Sequence, residues 1–505
     1  MPRIENRLSN GDHILGIDIG AGSCKSILFG KDFTIKSSAQ QEYLHSNPQP
    51  GWDELDPNYW WRNVANTIKE TIKKSNLPPE SIKCVGIAAE TDGIMPVDRE
   101  GKPLRPYIHW LDSRCIPQHE QIQKRFDPDK IYDITGIPLH VGWWSPPALK
   151  MLWIKENEPE IYSRTHKFLQ IGSYILYKLT GKFANDYSTA SRTLLFDIKK
   201  LEWSETIEDL FNIPISMQPD LYNSTEIAGQ VVEEAAKLTG LSTNTLVVVG
   251  GGDTECSALG AGVMSEGQAL ISIGTSLMIG IPRSEPTLIP KGPDRRLFGT
   301  GLVCTSHVIP NTWILEVGCL GGAMLKWFKE EFGYTETQMA QELGLSPYEL
   351  LILEAEKSHP TPNSPVCALP VETIYNLNLG HKKKDLIRCI LEGVAFEAQE
   401  VIEVAEKYGK KIDNLTIVGG GAKSDVWRQI IADVTGKPAK SPFMTETAAY
   451  GAAMLASVGG GIYQDLRKIP SLKSYFNTPR EELNQTYRIL FKKYKRICHL
   501  LRSDH

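Results

Sequence analysis

Short apolar runs bounded by glycine alternate along this chain with longer stretches whose apolar residues recur at helical spacing. Two of the short runs share one plan. Ile14–Phe29 reads ILGIDIGAGSCKSILF, and Ala269–Ile281 reads ALISIGTSLMIGI. In each, an apolar strand meets a turn of small residues containing Gly with Ser or Thr, and a second apolar strand follows. That pattern predicts a β-hairpin. The first is followed by a helical stretch, Asn58–Ser75, and a strand, Val85–Ala89. The second is followed by helical stretches at Gly322–Glu331 and Lys384–Tyr408, then by the strand Leu415–Val418, which ends in Gly419, Gly420 and Gly421. Between the hairpins lies Val248–Gly262, VVGGGDTECSALGAG: a strand, three glycines, the single carboxylate of Asp253, and small and apolar residues that open a helix.

Turns of this kind expose backbone N–H groups in concave nests that bind phosphate. Two halves opening on the same device predict a duplicated α/β fold. The organisation is that of two actin-like (ribonuclease H-like, sugar kinase/ATPase) domains with a nucleotide and substrate cleft between them. The expected domains are 1–254 and 255–505, the second ending in a basic helix at Tyr487–Arg502.

Composition narrows the function. A chain of 505 residues suits two domains better than one. A net charge of −5 gives no basic footprint for nucleic acid. The nine cysteines are scattered with no CxxC pair, which fits a reducing cytosol and neither a disulfide framework nor a zinc site. No apolar run approaches the roughly 18 residues that cross a bilayer, and the polar start has no apolar signal region. A cytoplasmic, soluble protein is expected.

The candidate residues assemble into a phosphoryl-transfer site, which needs phosphates held, a metal placed and a base near the attacking oxygen. Asp18 ends the first strand, where a carboxylate can hold Mg²⁺ through water. Gly20, Gly22 and Ser23 offer N–H and hydroxyl donors, and Lys25 can neutralise phosphate. Gly274, Thr275 and Ser276 supply an opposing cradle, and the GGGAKS run Gly419–Ser424 opens a further helix. Asp253 is placed to take a proton from a substrate hydroxyl; read alone, it also fits a helix-capping aspartate. The chain has no Walker GxxxxGKS and no protein-kinase HRD or DFG set.

Several segments in order carry a resemblance. GWDELDPNYWW (Gly51–Trp61), LRPYIHWLDSR (Leu104–Arg114), SPPALKMLWIKEN (Ser145–Asn157, with Lys150 and Trp153), LTGKFANDYSTASRTLLFD (Leu179–Asp197), GGGDTECSALGAG and GGGAKSDVWRQIIADVTGKP (Gly419–Pro438) are similar to those of the FGGY family of carbohydrate kinases, and most similar to its xylulokinase group. The resemblance implies an ATP- and Mg²⁺-dependent kinase for a small open-chain sugar, D-xylulose or a related ketose. Asp253 matches the base, and Asp18 the carboxylate associated with Mg-ATP. Thr275, Gly322 and Gly421 match nucleotide contacts, with Lys326, Gly420, Ala422 and Asp425 around them. The sugar pocket is expected among Glu90, Thr91, Asp92, Asp253 and Thr254, with Trp144 of the Trp143–Trp144 pair as an apolar wall. The implied partner is a sugar or polyol, with no nucleic acid and no membrane; a homodimer is allowed.

This chain departs from the family at two places. Ala21 and Gly22 stand where the first turn usually carries Thr or Ser. AETDG (Ala89–Gly93) replaces the Gln-Met-His-Gly of xylulokinases, so a carboxylate, Asp92, stands for an imidazole. Asp92 is therefore expected to accept hydrogen bonds from substrate hydroxyls. That keeps a polyol such as erythritol or glycerol as an alternative substrate, beside the remoter reading of a non-metabolic actin-like ATPase. Trp60, Trp153, Trp313 and Trp327 are expected in the core, and Asp112 with Arg114 as an ion pair.

Overall fold

The computed structural model describes residues 12–139, 145–299 and 301–502. The chain forms two compact units. The first comprises residues up to Gly260, then Cys304–Trp313 and Glu446–Ser471; the second comprises Ala261–Val303, Ile314–Thr445 and Leu472 onward. Against the expected division at 254/255, the first break falls at Gly260/Ala261, and two later stretches, Cys304–Trp313 and Glu446–Ser471, return to the first unit.

In the first unit the predicted hairpin forms from His13–Ile19 and Ser23–Phe29, paired antiparallel, with Ile82–Ala89 parallel to the first strand. The sheet extends through Leu246–Val248 to Ile227–Gln230 on one side and to Ile35–Glu42 on the other, with Gly251–Gly252 added beside Ile82–Ala89. Successive side chains point to opposite faces. Leu15, Ile17 and Ile19 enter a core with Trp60, Val64 and Ile68 of the helix Pro57–Ser75. That helix starts where Asp56 accepts from the Asn58 N–H and Pro57 fixes the first turn; it stops at Asn76, which adopts φ 55°.

The opposite face carries Gly16 and Gly86, and the returning helix Thr447–Gly459 presses on them. A methyl on Gly16 would sit 2.0 Å from the Ala449 carbonyl oxygen, and one on Gly86 2.0 Å from that of Ala452. Both obstacles are backbone, so neither can rotate away. The small residues of TAAYGAAMLASVG permit this approach, and the helix seals the sheet beneath the first turn. Gly86→Ala is expected to destabilise the protein by at least about 1–3 kcal/mol. Thermal melting measures this, and an unchanged Tm would rule out the close approach.

The second unit repeats the device. Gln268–Ile273 and Leu277–Arg283 form the second hairpin, and Asn414–Val418 lies parallel to its first strand in a second seven-stranded sheet. The predicted helices appear as Ala323–Phe332 and Lys383–Lys407, and the terminal helix as Glu481–Arg502. Tyr487, Leu490, Tyr494 and Cys498 of the terminal helix are buried at helical spacing, while Lys492, Lys495 and Arg496 face out. Trp60 and Trp313 are core residues as expected, and Trp153 is half-buried. Trp327 is not: it is 48% exposed, on the outer side of a helix that buries Leu325 and Phe328 instead. Among the described residues no helix is long and apolar enough to cross a membrane.

Candidate active site

Two aspartates are the candidates at the centre of a site in the first unit. Asp18 stands at the end of the strand His13–Ile19, opposite Lys25 across the hairpin. Asp253 is the first residue of the helix Asp253–Gly260, directly after Gly251–Gly252. The approach to it turns at Gly250, whose φ of +81° is left-handed and whose Cβ, if present, would lie 1.9 Å from the Ile87 carbonyl oxygen. Only glycine satisfies both conditions. The glycine run therefore sets the direction in which Asp253 leaves the sheet.

Burial raises the Asp253 carboxyl from 3.8 to about 6; the Thr254 N–H and the Arg192 charge pull it back, and Asp92 adds to the rise. Burial and then the Asp253 charge raise Asp18 to about 7, with Lys25 opposing. The Asp18 carboxylate thus resists ionisation partly because Asp253 is charged, so ionising one bears on the other. Two mutually repelling hard oxygen donors are a fit for Mg²⁺, which takes carboxylate and water oxygens.

The first turn is held from behind. The Gly20 N–H donates to the Ser23 carbonyl at 3.1 Å, and the Tyr43 N–H donates to the Gly22 carbonyl at 3.1 Å. Ala21 O accepts from His45 Nε2 at 2.7 Å. Lys25, expected toward phosphate, is engaged: its Nζ meets Glu446 of the returning stretch at 2.6 Å. Ser23 Oγ accepts from Gln40 Nε2 at 3.4 Å.

Of the expected sugar-pocket residues, Glu90 is buried and accepts a short hydrogen bond from the Tyr107 hydroxyl. Burial holds its carboxyl well above the usual range, with the Tyr107 bond opposing. Its other oxygen, Oε2, is buried with no hydrogen-bond partner. Thr91 packs its methyl beside Gly252, and Thr254 Oγ1 donates to Asp253 Oδ1 at 3.3 Å. Asp92 adopts φ 70° and is buried. Its carboxylate is already committed: Arg192 Nε donates to Oδ1 at 3.2 Å and Nη2 to Oδ2 at 2.8 Å. The carboxylate expected to accept from substrate hydroxyls therefore already stands in a forked ion pair with Arg192. Lys150, fully buried, reads the Asp92 backbone, its Nζ donating to the carbonyl at 2.8 Å and to the Ser145 carbonyl. Trp144 lies outside the described residues. Asp112 and Arg114 do pair, Nε to Oδ1 at 2.8 Å and Nη2 to Oδ2 at 2.7 Å.

Three residues that act on the candidate aspartates were not singled out from the sequence, all inside LTGKFANDYSTASRTLLFD: Arg192, Asp186 and Ser188. Asp186 caps the short helix Tyr187–Ser191 and accepts from the Ser188 N–H at 2.7 Å and from its hydroxyl. Ser188 Oγ in turn accepts from the Gly252 N–H at 3.0 Å. This chain of bonds fixes the backbone one residue before Asp253. The signal was an Asp-x-Ser cap followed by a buried-context Arg, legible only as a capped turn.

In the second unit the glycine clusters converge on the second hairpin. The Gly322 N–H donates to the Gly274 carbonyl at 3.1 Å and the Ala323 N–H to that of Thr275 at 2.9 Å. Gly421 lies against Ile273 and the Trp427 ring, where a methyl would come within 2.6 and 3.0 Å. Gly274, Thr275, Ser276 and Gly420 are exposed, as is Lys326. Ala422 is buried and its carbonyl accepts from Arg428 Nη1 at 2.6 Å. The Asp425 side chain is 77% exposed and accepts from Arg428 Nη2 at 2.8 Å. These turns form one exposed, glycine-rich surface of the kind that admits a nucleotide against backbone.

The FGGY family of carbohydrate kinases matches by its N-terminal domain at residues 13–260 and by its C-terminal domain at residues 269–460. The chain is 30% identical over 495 residues to a xylulose kinase of Bacillus subtilis, covering 96% of each chain. It is 28% identical over 509 residues to a gluconokinase of the same organism, covering 98% of this chain and 97% of the other. The crystal structure of a xylulose kinase from Rhodospirillum rubrum superposes with a TM-score of 0.86 at 25% identity, covering 97% of this chain and 99% of that one. With two sheets built on the same hairpin device, the fold is the actin-like kinase fold. The chain belongs to the FGGY family of carbohydrate kinases, and it is an ATP-dependent sugar kinase.

Proposed function

We propose that this kinase phosphorylates a neutral open-chain ketose of the xylulose type, with Asp253 as base and Asp18 holding Mg²⁺. The observation that carries the substrate class is the Asp92–Arg192 fork beside Asp253. The pair is neutral overall, and its carboxylate offers hydroxyls the lone pairs that the guanidinium leaves. The other charges that act on Asp253, Asp18 and Glu90 balance, Asp253 and Glu446 against Lys25 and Lys150, so the carboxyls of Asp18 and Glu90 themselves leave an acidic excess. A sugar acid would meet net repulsion there, whereas a neutral polyhydroxylated chain meets donors and acceptors. The 30% identity to a xylulose kinase supports the ketose.

Asp253 takes the proton of the attacking hydroxyl, and the exposed glycine turns of the second unit hold the nucleotide. Bound Mg²⁺ would supply charge neutralisation on the phosphates. Asp18 would hold it through oxygen, probing its presence by the metal dependence of the rate: Asp18→Asn is expected to raise the Mg²⁺ concentration for half-maximal activity at least about tenfold. An unchanged Mg²⁺ requirement would remove Asp18 from that role.

The substrate is tested by coupled ADP release with D-xylulose, D-ribulose, erythritol, glycerol and gluconate. The expected order puts a ketopentose first in kcat/KM, with gluconate at least about tenfold lower, which is about 1.4 kcal/mol of transition-state discrimination. Gluconate in first place would overturn the neutral-substrate reading.

A further inference from the structure

Behind the first turn, a cluster of side chains has no part in the chemistry above. His45 Nδ1 lies 2.7 Å from Asp53 Oδ1, and His109 Nδ1 lies 2.8 Å from Asp53 Oδ2. The three potential ligand atoms all fall within 4.8 Å of one another. His45 Nε2 meets the Ala21 carbonyl at 2.7 Å.

The hydrogen-bond chemistry of His45 is unusual. Both ring nitrogens face groups that only accept, a carboxylate and a carbonyl. The proton on Nε2 is therefore fixed, and a positive species must sit between Nδ1 and Asp53. That species is either a second proton or a metal ion. Asp53 faces the same choice twice, because His109 Nδ1 approaches its other oxygen. Two imidazoles and one carboxylate are the donor set of three-ligand zinc sites, with a further position left for water.

The framework holds the three residues in place before any ion arrives. The Asp53 N–H donates to Asp112 Oδ2 at 2.7 Å, and the His109 N–H donates to the Asp53 carbonyl at 3.0 Å. Ser46 and Glu54 exchange backbone bonds of 2.8 and 2.9 Å, which sets His45 beside Asp53. The His45–Ala21 bond is the outer contact that fixes the tautomer of a ligating histidine. An ion bound at about 2.1 Å spreads its ligands to roughly 3.4 Å, so the two His–Asp53 contacts of 2.7 and 2.8 Å need to lengthen by only about 0.6–0.7 Å. His109 is fully buried and His45 is 22% exposed, so the cluster is reached from the His45 side.

We propose that His45, Asp53 and His109 form a site for a zinc-class divalent ion that braces the first glycine turn through the His45–Ala21 hydrogen bond. The ion replaces the Nδ1 protons of both histidines. The site is separate from the Asp18–Asp253 pair and is independent of which sugar is phosphorylated.

The test uses the full-length protein stripped with a chelator and kept reduced. Zn²⁺ is titrated by calorimetry, and Co²⁺ serves as the spectroscopic probe. One ion per chain is expected, with visible d–d bands and no thiolate charge-transfer band. His45→Ala, the variant at the accessible edge, should weaken binding by more than about a hundredfold, beyond the usual loss from an outer contact. Asp53→Asn should do the same, with circular dichroism confirming its fold, while Asp18→Asn should bind Zn²⁺ as the parent does. No saturable binding, equal binding by the parent and His45→Ala, or a thiolate band would overturn the proposal, the last by assigning the metal to a cysteine. Loss of binding in Asp18→Asn alone would overturn it too, by placing the ion at the catalytic carboxylates.

Discussion

Asp253→Ala is expected to lower kcat by a factor of about a hundred to ten thousand, the usual reach of one positioned base, while nucleotide binding and folding persist. The side chain leaves the sheet where Gly250 turns at φ +81°, and the Asp186–Ser188–Gly252 bonds fix the backbone just ahead of it. None of those supports involves the Asp253 carboxylate, so truncating it leaves the frame standing. The pH dependence follows with a definite sign. Asp253 is raised to about 6 and Asp18 to about 7, and both act as carboxylates. In the free enzyme kcat/KM should therefore climb with pH between about 6 and 7 and level off above, reporting the pair rather than either residue. The same shifts bear on stability. Folded carboxyls raised above their unfolded value of 3.8 bind protons more tightly than the unfolded chain, so these two weaken the fold as pH rises from about 4 to 7. Asp18→Asn should accordingly melt higher than the parent at neutral pH while losing activity. A lower Tm in that variant would show that the two carboxylates are not held apart from solvent in the way described. Near-normal turnover of Asp253→Ala with the best sugar would move the base elsewhere.

What could be read in the chain was local. The two hairpins, the strand ends at Asp18 and Val418, and the glycine run before Asp253 lie within a few residues of the features that reveal them. Period-two apolar runs with glycine turns have few alternative structures. The pairings that tune the site are distant in sequence. Arg192 reaches Asp92 across 100 positions, and Glu446 reaches Lys25 across 421. No spacing rule announces such partners. The return of Glu446–Ser471 to the first unit is equally hidden, although the alanine- and glycine-rich run TAAYGAAMLASVG suits a helix that must lie close to a sheet. Trp327 misled because a large aromatic in an amphipathic helix reads as core, while the helix needs only one stripe to be buried. Of the expected site residues, Lys25 and Asp92 already hold protein partners.

Breaking the fork is expected to produce the second large effect. Arg192→Ala should lower kcat/KM for the sugar by about ten- to a hundredfold, matching the roughly 1.5–3 kcal/mol carried by hydrogen bonds to a charged group, while KM for ATP stays within about twofold. Two consequences of the geometry combine here. Asp92, buried and at φ 70°, would keep its charge without the guanidinium that Nε and Nη2 present to both of its oxygens. Asp253 would lose the cation that pulls its carboxyl down, so its proton would be held more tightly and the rising limb of the pH profile would move to higher pH. Asp92→Asn separates the two effects. It removes a negative charge that raises Asp253, so its limb should move to lower pH, while the sugar KM still rises because the amide mismatches the guanidinium. The double variant should be far less than additively impaired, since both single changes break the same pair. Opposite limb shifts with a shared rise in sugar KM are a signature that a merely structural ion pair would not give. If both variants keep the parent's sugar KM and pH limb, the fork supports the fold of the AETDG turn and takes no part in reading the substrate.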